Sequence, residues 1–253
     1  MGEIITLSNQ KGGSGKTTTA HALGAGLAYR GYKVLFIDLD AQGNLTYTSG
    51  IDTRSLTSLE TLSGTATAEE AIQHCEKYDI IPASPALSGA DSIITDTGRE
   101  YRLREAIDPL RQNYDYVIID TSPARSILTV NAFTASDKLI IPTGADAFSL
   151  QGIGGISEVI AAVKKYCNPA LVVDGLLLTR YSARAILSRD LAQLAESIAG
   201  MMQTTIYKAF IRENISIREA QALRTDIFTY APKSNGAADY NAFIDEFLAK
   251  GRA

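Results

Sequence analysis

Apolar residues in this chain fall into short runs separated by longer, periodically polar stretches. Ile4-Ile5-Thr6-Leu7, Lys33 to Asp40 and Tyr114 to Asp120 are nearly continuous apolar runs, the last two ending in acid. Runs of that length without alternation predict strands covered on both faces, as in a parallel sheet. Tyr78 to Ala83, Lys138 to Pro142, Leu171 to Thr179 and Thr204 to Ile211 extend the series. The intervals carry helical signals: Ala20 to Tyr29 closed by Gly31, residues 53–76 broken at Gly64, and residues 98–112 with Leu103, Ala106, Ile107 and Leu110 on one face. Residues 149–166, Ile215 to Leu223, Ile227 to Tyr230 and a last helix from Asn235 to Lys250 complete the alternation. Strand and helix in turn predict an α/β fold: one doubly wound, mostly parallel sheet with helices on both faces, spanning residues 1–253 as a single domain.

The first strand runs straight into Gln10-Lys11-Gly12-Gly13-Ser14-Gly15-Lys16-Thr17-Thr18-Thr19, and a helix follows. Strand, glycine-rich turn and helix are the setting that a P-loop NTPase domain requires. Glycines let backbone N–H groups turn inward, and the helix N-terminus adds partial positive charge, so a triphosphate fits the loop. Lys16 is placed to reach the β- and γ-phosphates, and the Thr17 hydroxyl to ligate Mg²⁺. Gln10 occupies the place of the pattern's first glycine, and a second lysine, Lys11, precedes the Gly-Gly pair.

Two strand ends supply acid. Asp38 and Asp40 are two apart, so both point to one face at the carboxyl end of their strand, where ligands bind open α/β sheets. A polar loop, Ala41-Gln42-Gly43-Asn44-Leu45-Thr46, follows. Asp120 ends the next long strand, a position that holds Mg²⁺ in P-loop proteins, often through water.

The Lys-Gly-Gly-x-Gly-Lys-Thr loop resembles the deviant Walker A loop of the ParA/MinD superfamily of dimerising ATPases. Asp38 to Asn44 is similar to the family's first switch, with Ala41 at a usual proline, and Asp120-Thr121-Ser122-Pro123-Ala124 to its second. Leu128 to Asp137 continues the likeness, which covers essentially the whole chain. The resemblance implies ATP and Mg²⁺ as cofactors, with Lys11, Gly12, Gly13, Ser14, Gly15, Lys16, Thr17 and Thr18 around the phosphates. It implies Thr17 and Asp120 at the metal, Asp40 as the residue needed for hydrolysis, and Asn214 and Pro232 near the adenine. It also implies an ATP-dependent homodimer in which Lys11 reaches the partner's nucleotide, weak hydrolysis stimulated by a ParB-type centromere-binding protein, and partition of DNA. A shorter form without an N-terminal helix-turn-helix is expected, because the first strand begins at once.

Composition fits that reading. Hydrophobic residues make up 45% and charged residues 21%, an ordinary globular balance. No apolar run approaches the roughly 20 residues that span a bilayer, and no signal peptide is expected before the first strand, so a cytoplasmic place is expected. Cys75 and Cys167 form no Cys-x-x-Cys pair and read as reduced, partly buried thiols. No cysteine follows a switch strand, which disfavours a cluster-bridging relative of the nitrogenase iron protein. His21 and His74 are expected on helix surfaces, without a catalytic task.

The formal charge of −4 argues weakly against nucleic acid as a partner, but its distribution is uneven. Residues 180–224 hold seven cations against four acids, about +3, while the remainder is about −7. The resemblance places Arg184, in Tyr181-Ser182-Ala183-Arg184, on non-specific double-stranded DNA at the nucleoid. The family signature Ile-Pro-Arg-Asn-Val-Arg-Leu-Ser-Glu-Ala is matched by Ile211 to Ala220, with Glu213 and Ser216 at two arginine places and Arg212 and Arg218 at neighbouring ones. The MinD-like alternative, a membrane-associated positioning ATPase, needs a basic amphipathic C-terminal helix. The actual tail, Asp239 to Leu248, is acidic and reads as a packing helix, so no membrane partner is expected.

Overall fold

Successive side chains of a strand point to opposite faces, so an uninterrupted apolar run has to be covered twice. A computed structural model, which describes residues 1–51, 56–144, 153–181 and 188–251, supplies both covers. Strands β1 (Glu3–Leu7), β2 (Val34–Leu39), β3 (Gln73–His74), β4 (Asp79–Ile81), β5 (Tyr116–Thr121), β6 (Lys138–Gly144), β7 (Val172–Tyr181) and β8 (Ile206–Arg212) form one eight-stranded sheet. Its order is β3-β4-β2-β5-β1-β6-β7-β8, and only the β3–β4 pair is antiparallel. The helices, in chain order, are α1 (Lys16–Tyr29), α2 (Asn44–Thr48), α3 (Ser58–Ser63), α4 (Ala68–Ala71), α5 (Ala90–Ile93) and α6 (Arg102–Ile107). They continue with α7 (Ile127–Ala135), α8 (Ile153–Tyr166), α9 (Ser188–Met201), α10 (Ile215–Ala222), α11 (Ile227–Tyr230) and α12 (Asn235–Lys250).

The two faces divide residue by residue. Ile4, Leu35, Ile37, Val117, Ile119, Leu139 and Ile141 share a core with α3, α6, α7 and α8. Their chain neighbours Ile5, Val34, Phe36, Ile118 and Ile140 share the other with α1 and α12. β1 lies at the centre, between β5 and β6. The chain leaves β1 through α1 on one face towards β2, and leaves β5 through α7 on the other face towards β6. That reversal opens a crevice above the carboxyl ends of the central strands.

Several local expectations change. Residues 56–76 are two short helices, α3 and α4, and an edge strand, β3, rather than a helical pair; Gly64 still ends α3, with φ of 74°. The stretch from 98 to 112 is broken into 3₁₀, α and 3₁₀ turns, and the α-helix stops at Ile107 because Pro109 offers no N–H to continue it. The start of the helix expected from residue 149 lies outside the described residues, and α8 is seen from Ile153. His21 is not on a surface. α1 is covered nearly all round, and the His21 Nε2 meets the Tyr78 hydroxyl at 3.0 Å beside Phe36. Burial pushes its pKa down to about 4, so it is neutral at physiological pH. His74 sits on β3, exposed, with Nδ1 2.7 Å from Asp79. Both cysteines are half-buried and free, as expected.

α1 lies close to the sheet because it carries glycines where side chains would collide. A Cβ at Gly24 would overlap the Phe36 ring, itself fully buried. Gly24→Ala is therefore expected to cost about 1–3 kcal/mol, the usual range for overpacking a filled core. Urea unfolding checks this; an unchanged midpoint would show that Phe36 moves aside freely.

Candidate active site

Three adjacent strands bring the chemistry to one edge. Leu7 of β1 is in register with Asp120 of β5, which is in register with Asp38 of β2, so the glycine-rich loop and both acids emerge side by side. One side chain from the loop's own flank and one from β7 hold it in shape. Asn9 donates Nδ2–H to the Pro142 carbonyl at 2.9 Å and accepts the Lys11 N–H at 3.0 Å. Thr179, at the end of β7, donates its hydroxyl to the Ser14 carbonyl at 2.9 Å. Gly13 and Gly15 have φ of 73° and 86°, left-handed values that turn the loop's N–H groups inward. No side chain caps α1 and no acid lies in its first turn, leaving the helix N-terminus open to an anion.

Lys16 folds back and donates from Nζ to the Lys11 carbonyl at 3.2 Å, inside the loop. Burial pushes its pKa down, opposed by Asp120 and Asp40. Asp120 is fully buried, and neither carboxylate oxygen meets a donor at full hydrogen-bond geometry, although the Thr17 hydroxyl approaches closely enough to pull its pKa down. Burial and then the Asp38 charge push it well above the usual carboxylate range; Thr17 and Lys16, close by, pull the other way. Each charged form is short of solvation. A phosphate would answer Lys16, and a divalent cation would answer Asp120. Among the described residues no cluster of three or more His, Cys, Asp or Glu could hold a metal by itself. A cation here would take one carboxylate and the Thr17 hydroxyl and keep waters and phosphate oxygens, a donor set that fits Mg²⁺.

Asp40 stands across the opening, nearly buried. It accepts the Gln42 N–H at 3.0 Å and gives its own N–H to Asp38 at 3.0 Å. Asp38 accepts both the N–H and the hydroxyl of Thr46, at 2.8 and 2.7 Å, and so anchors α2 rather than facing a ligand. Its pKa is raised to about 6, chiefly by burial. Gly12, Gly13, Gly15, Lys16, Thr17, Thr18, Asp40, Pro123 and residues of α2 and α10 line one cavity of about 550 Å³. Lys11 is half-buried beside it. A second cavity of about 360 Å³ begins at Gly13, Gly15 and Thr18 and runs to Arg180, Asn214 and Tyr240. Asn214 is also the cap of α10, accepting the Ser216 N–H at 2.8 Å. Pro232 is exposed in the turn between α11 and α12 and lines neither cavity.

The arginines scatter. Arg184 lies outside the described residues. Arg212 makes a two-pronged contact with Asp239, Nη2 at 2.6 Å and Nε at 2.9 Å, and Arg218 pairs with Glu213 at 3.0 Å. Asn9, Thr179, Thr46 and Gln221, whose Nε2 donates to Thr18 at 2.9 Å, were missed from sequence. Thr179 alone carried a local sign, a polar residue closing an apolar strand.

A family profile described as an AAA domain matches residues 2–173. The sporulation initiation inhibitor protein Soj of Bacillus subtilis is 38% identical over 99% of this chain and all of that protein. The chromosome partitioning protein ParA of Myxococcus xanthus is 35% identical over 99% of this chain and 89% of that protein. The chain belongs to the ParA/MinD-type partition ATPases. Cobyrinic acid a,c-diamide synthase from Mycobacterium smegmatis, solved with a bound ATP analog and magnesium, superposes with a TM-score of 0.87. It is 30% identical and covers 100% of this chain and 97% of that one. In this ParA/MinD-type chain the loop, Lys16 and the strand-end acids lie together at the carboxyl edge of the sheet.

A buried carboxyl with a raised pKa favours the fold while protonated. Stability of the nucleotide-free protein should therefore fall as pH rises from the ordinary carboxylate range through these raised values, near 6 for Asp38. Asp120→Asn at pH 8 is expected to raise the nucleotide-free melting temperature by about 2–4 °C and to abolish the added stabilisation from Mg²⁺ with nucleotide. A variant that melts earlier and still responds to Mg²⁺ would remove Asp120 from the metal site.

Proposed function

We propose that this chain is a DNA-partition ATPase in which ATP and Mg²⁺ close two copies face to face and the closed pair holds DNA. The observation that carries the reading is Asp120, its two oxygens buried without a well-formed hydrogen bond, beside Lys16 and Thr17 under an anion-binding loop. Lys16 and the N–H groups of Gly12 to Thr18 bind the phosphates, and Thr17 and Asp120 hold the metal, which when bound offsets charge at the β- and γ-phosphates. Asp40, at the cavity rim, orients the attacking water. Asn214 lies along the second cavity, in line with a base placed there; Pro232 would reach the base only if its turn closed over that cavity.

Lys11 of each copy reaches the other's phosphates. At about 4 Å and an effective dielectric near 20, a unit charge pair is worth about 4 kcal/mol, and the γ-phosphate supplies it only until hydrolysis. Closure joins two weak arginine surfaces into one bivalent surface for double-stranded DNA, which places the protein on the nucleoid. Arg184 is the foremost contact; Arg212 and Arg218 contribute only by exchanging their carboxylate partners for phosphate. A ParB-type partner stimulates hydrolysis and resets the cycle. The membrane-associated alternative is disfavoured by α12, whose Tyr240, Phe243, Ile244 and Phe247 are buried in the core, leaving no apolar face for lipid.

Sizing with ATP, with and without DNA, tests the reading. Asp40→Ala should accumulate as a DNA-bound dimer and Lys11→Ala should remain monomeric. Wild type that stays single with saturating non-hydrolysable triphosphate and Mg²⁺ would sink it. Separately, Arg184→Ala should weaken DNA binding alike across sequences and lower the salt slope by about 1; an unchanged slope would take Arg184 off the surface.

A further inference from the structure

Arg224 is one of the cations that make residues 180–224 basic, yet its guanidinium is used inside the molecule. Nε donates to the Tyr47 carbonyl at 3.0 Å and Nη2 to the Ile51 carbonyl at 2.9 Å. The guanidinium carbon lies 5.0 Å from the centre of the Tyr47 ring, within cation–π range. The residue that makes these contacts has φ of +55°, a left-handed value at which glycine is the unstrained choice. A bulky residue kept in that conformation just past the end of α10 points to a task for its side chain.

The contacts lie on the wall of the larger cavity. α2 begins four residues after Asp40, and Asn44, Tyr47 and Thr48 line that cavity together with Gln221 and Ala222 of α10. On its inner side α2 is fixed by Thr46, which donates to Asp38 and accepts the Ala83 N–H at 2.9 Å. On its outer side Arg224 spans the carbonyls of Tyr47 and Ile51. α10, just beyond whose end Arg224 lies, is tied to the phosphate-loop helix by Gln221 and Thr18. α2, which follows directly on the Asp40 loop, is thus held between β2 and the end of α10, both of which reach the phosphate site.

We propose that Arg224 is a positioning residue for hydrolysis, fixing where the Asp40 loop stands relative to the phosphate loop. The inference rests on the reading of Asp40 given above. An arginine is required because two carbonyls and a ring face are engaged at once by a planar fork, which the single ammonium of lysine cannot do. The contact is exposed, so it governs where the loop sits rather than whether the chain folds. Small displacements of a water-orienting carboxylate cost rate steeply.

Arg224→Gly separates the two roles, since glycine keeps the backbone turn, relieves its strain and removes the fork. Wild type, Arg224→Gly, Arg224→Lys and Asp40→Ala should be compared for steady-state ATP turnover, ADP affinity and melting temperature. Arg224→Gly is expected to melt no earlier than wild type and to bind ADP within about twofold of it, with kcat lowered about tenfold and KM little changed. Arg224→Lys should recover only a small part of kcat, and Asp40→Ala should be inactive. Wild-type kcat in Arg224→Gly beside an inactive Asp40→Ala would overturn the role of Arg224 and leave that of Asp40 standing. Joint loss of stability, ADP affinity and kcat in Arg224→Gly would reduce Arg224 to a structural tie. Normal turnover by Asp40→Ala would bring down the reading of Asp40 and this inference with it.

Discussion

Asp120 and Lys16 are buried next to one another at the carboxyl edge of a parallel sheet, and burial presses both towards their neutral forms. A fold that keeps such groups without full solvation gives up stability that apolar residues at the same places would not cost. What it gains is a site already desolvated and already shaped, whose missing charges are those of a phosphate and a divalent cation. Around this constraint the rest is arranged. The glycines turn N–H groups inward, α1 presents an uncapped end, and Asn9 and Thr179 spend their polar atoms on backbone groups, Asn9 on Lys11 and Pro142 and Thr179 on Ser14.

The second acid pair divides its labour. Asp38 and Asp40 sit two residues apart and share a strand end, yet Asp38 is consumed by Thr46 and the Asp40 N–H, while Asp40 faces the cavity. One carboxylate builds the loop and the other faces the cavity from it. That division ties α2 to the sheet, and Arg224 ties it to α10, so the phosphate loop, the Asp40 loop and α10 form one mechanical unit. The same α10 is capped by Asn214, beside the second cavity, and carries Arg218. The Arg212 fork to Asp239 shows how a basic stretch of sequence can be neutralised from an element folded onto it, here α12.

Much of this was legible in the chain itself. Continuous apolar runs marked the buried strands, because only two-sided burial tolerates them, and α12 spans the Asn235–Lys250 expected of the last helix. That the loop, Asp40 and Asp120 come together at one edge was readable from glycines, a lysine and strand-end acids in the local order that a phosphate loop needs. These are short-range requirements, met within a few residues. What tertiary structure alone decided depends on contacts between distant segments: His21 buried under Tyr78, Asp38 taken by α2, Arg212 paired with Asp239, Arg224 bent onto Tyr47 and Ile51. A residue's type states which bonds it is able to make; which of them it makes depends on what the fold brings within 3 Å, and no local spacing encodes that.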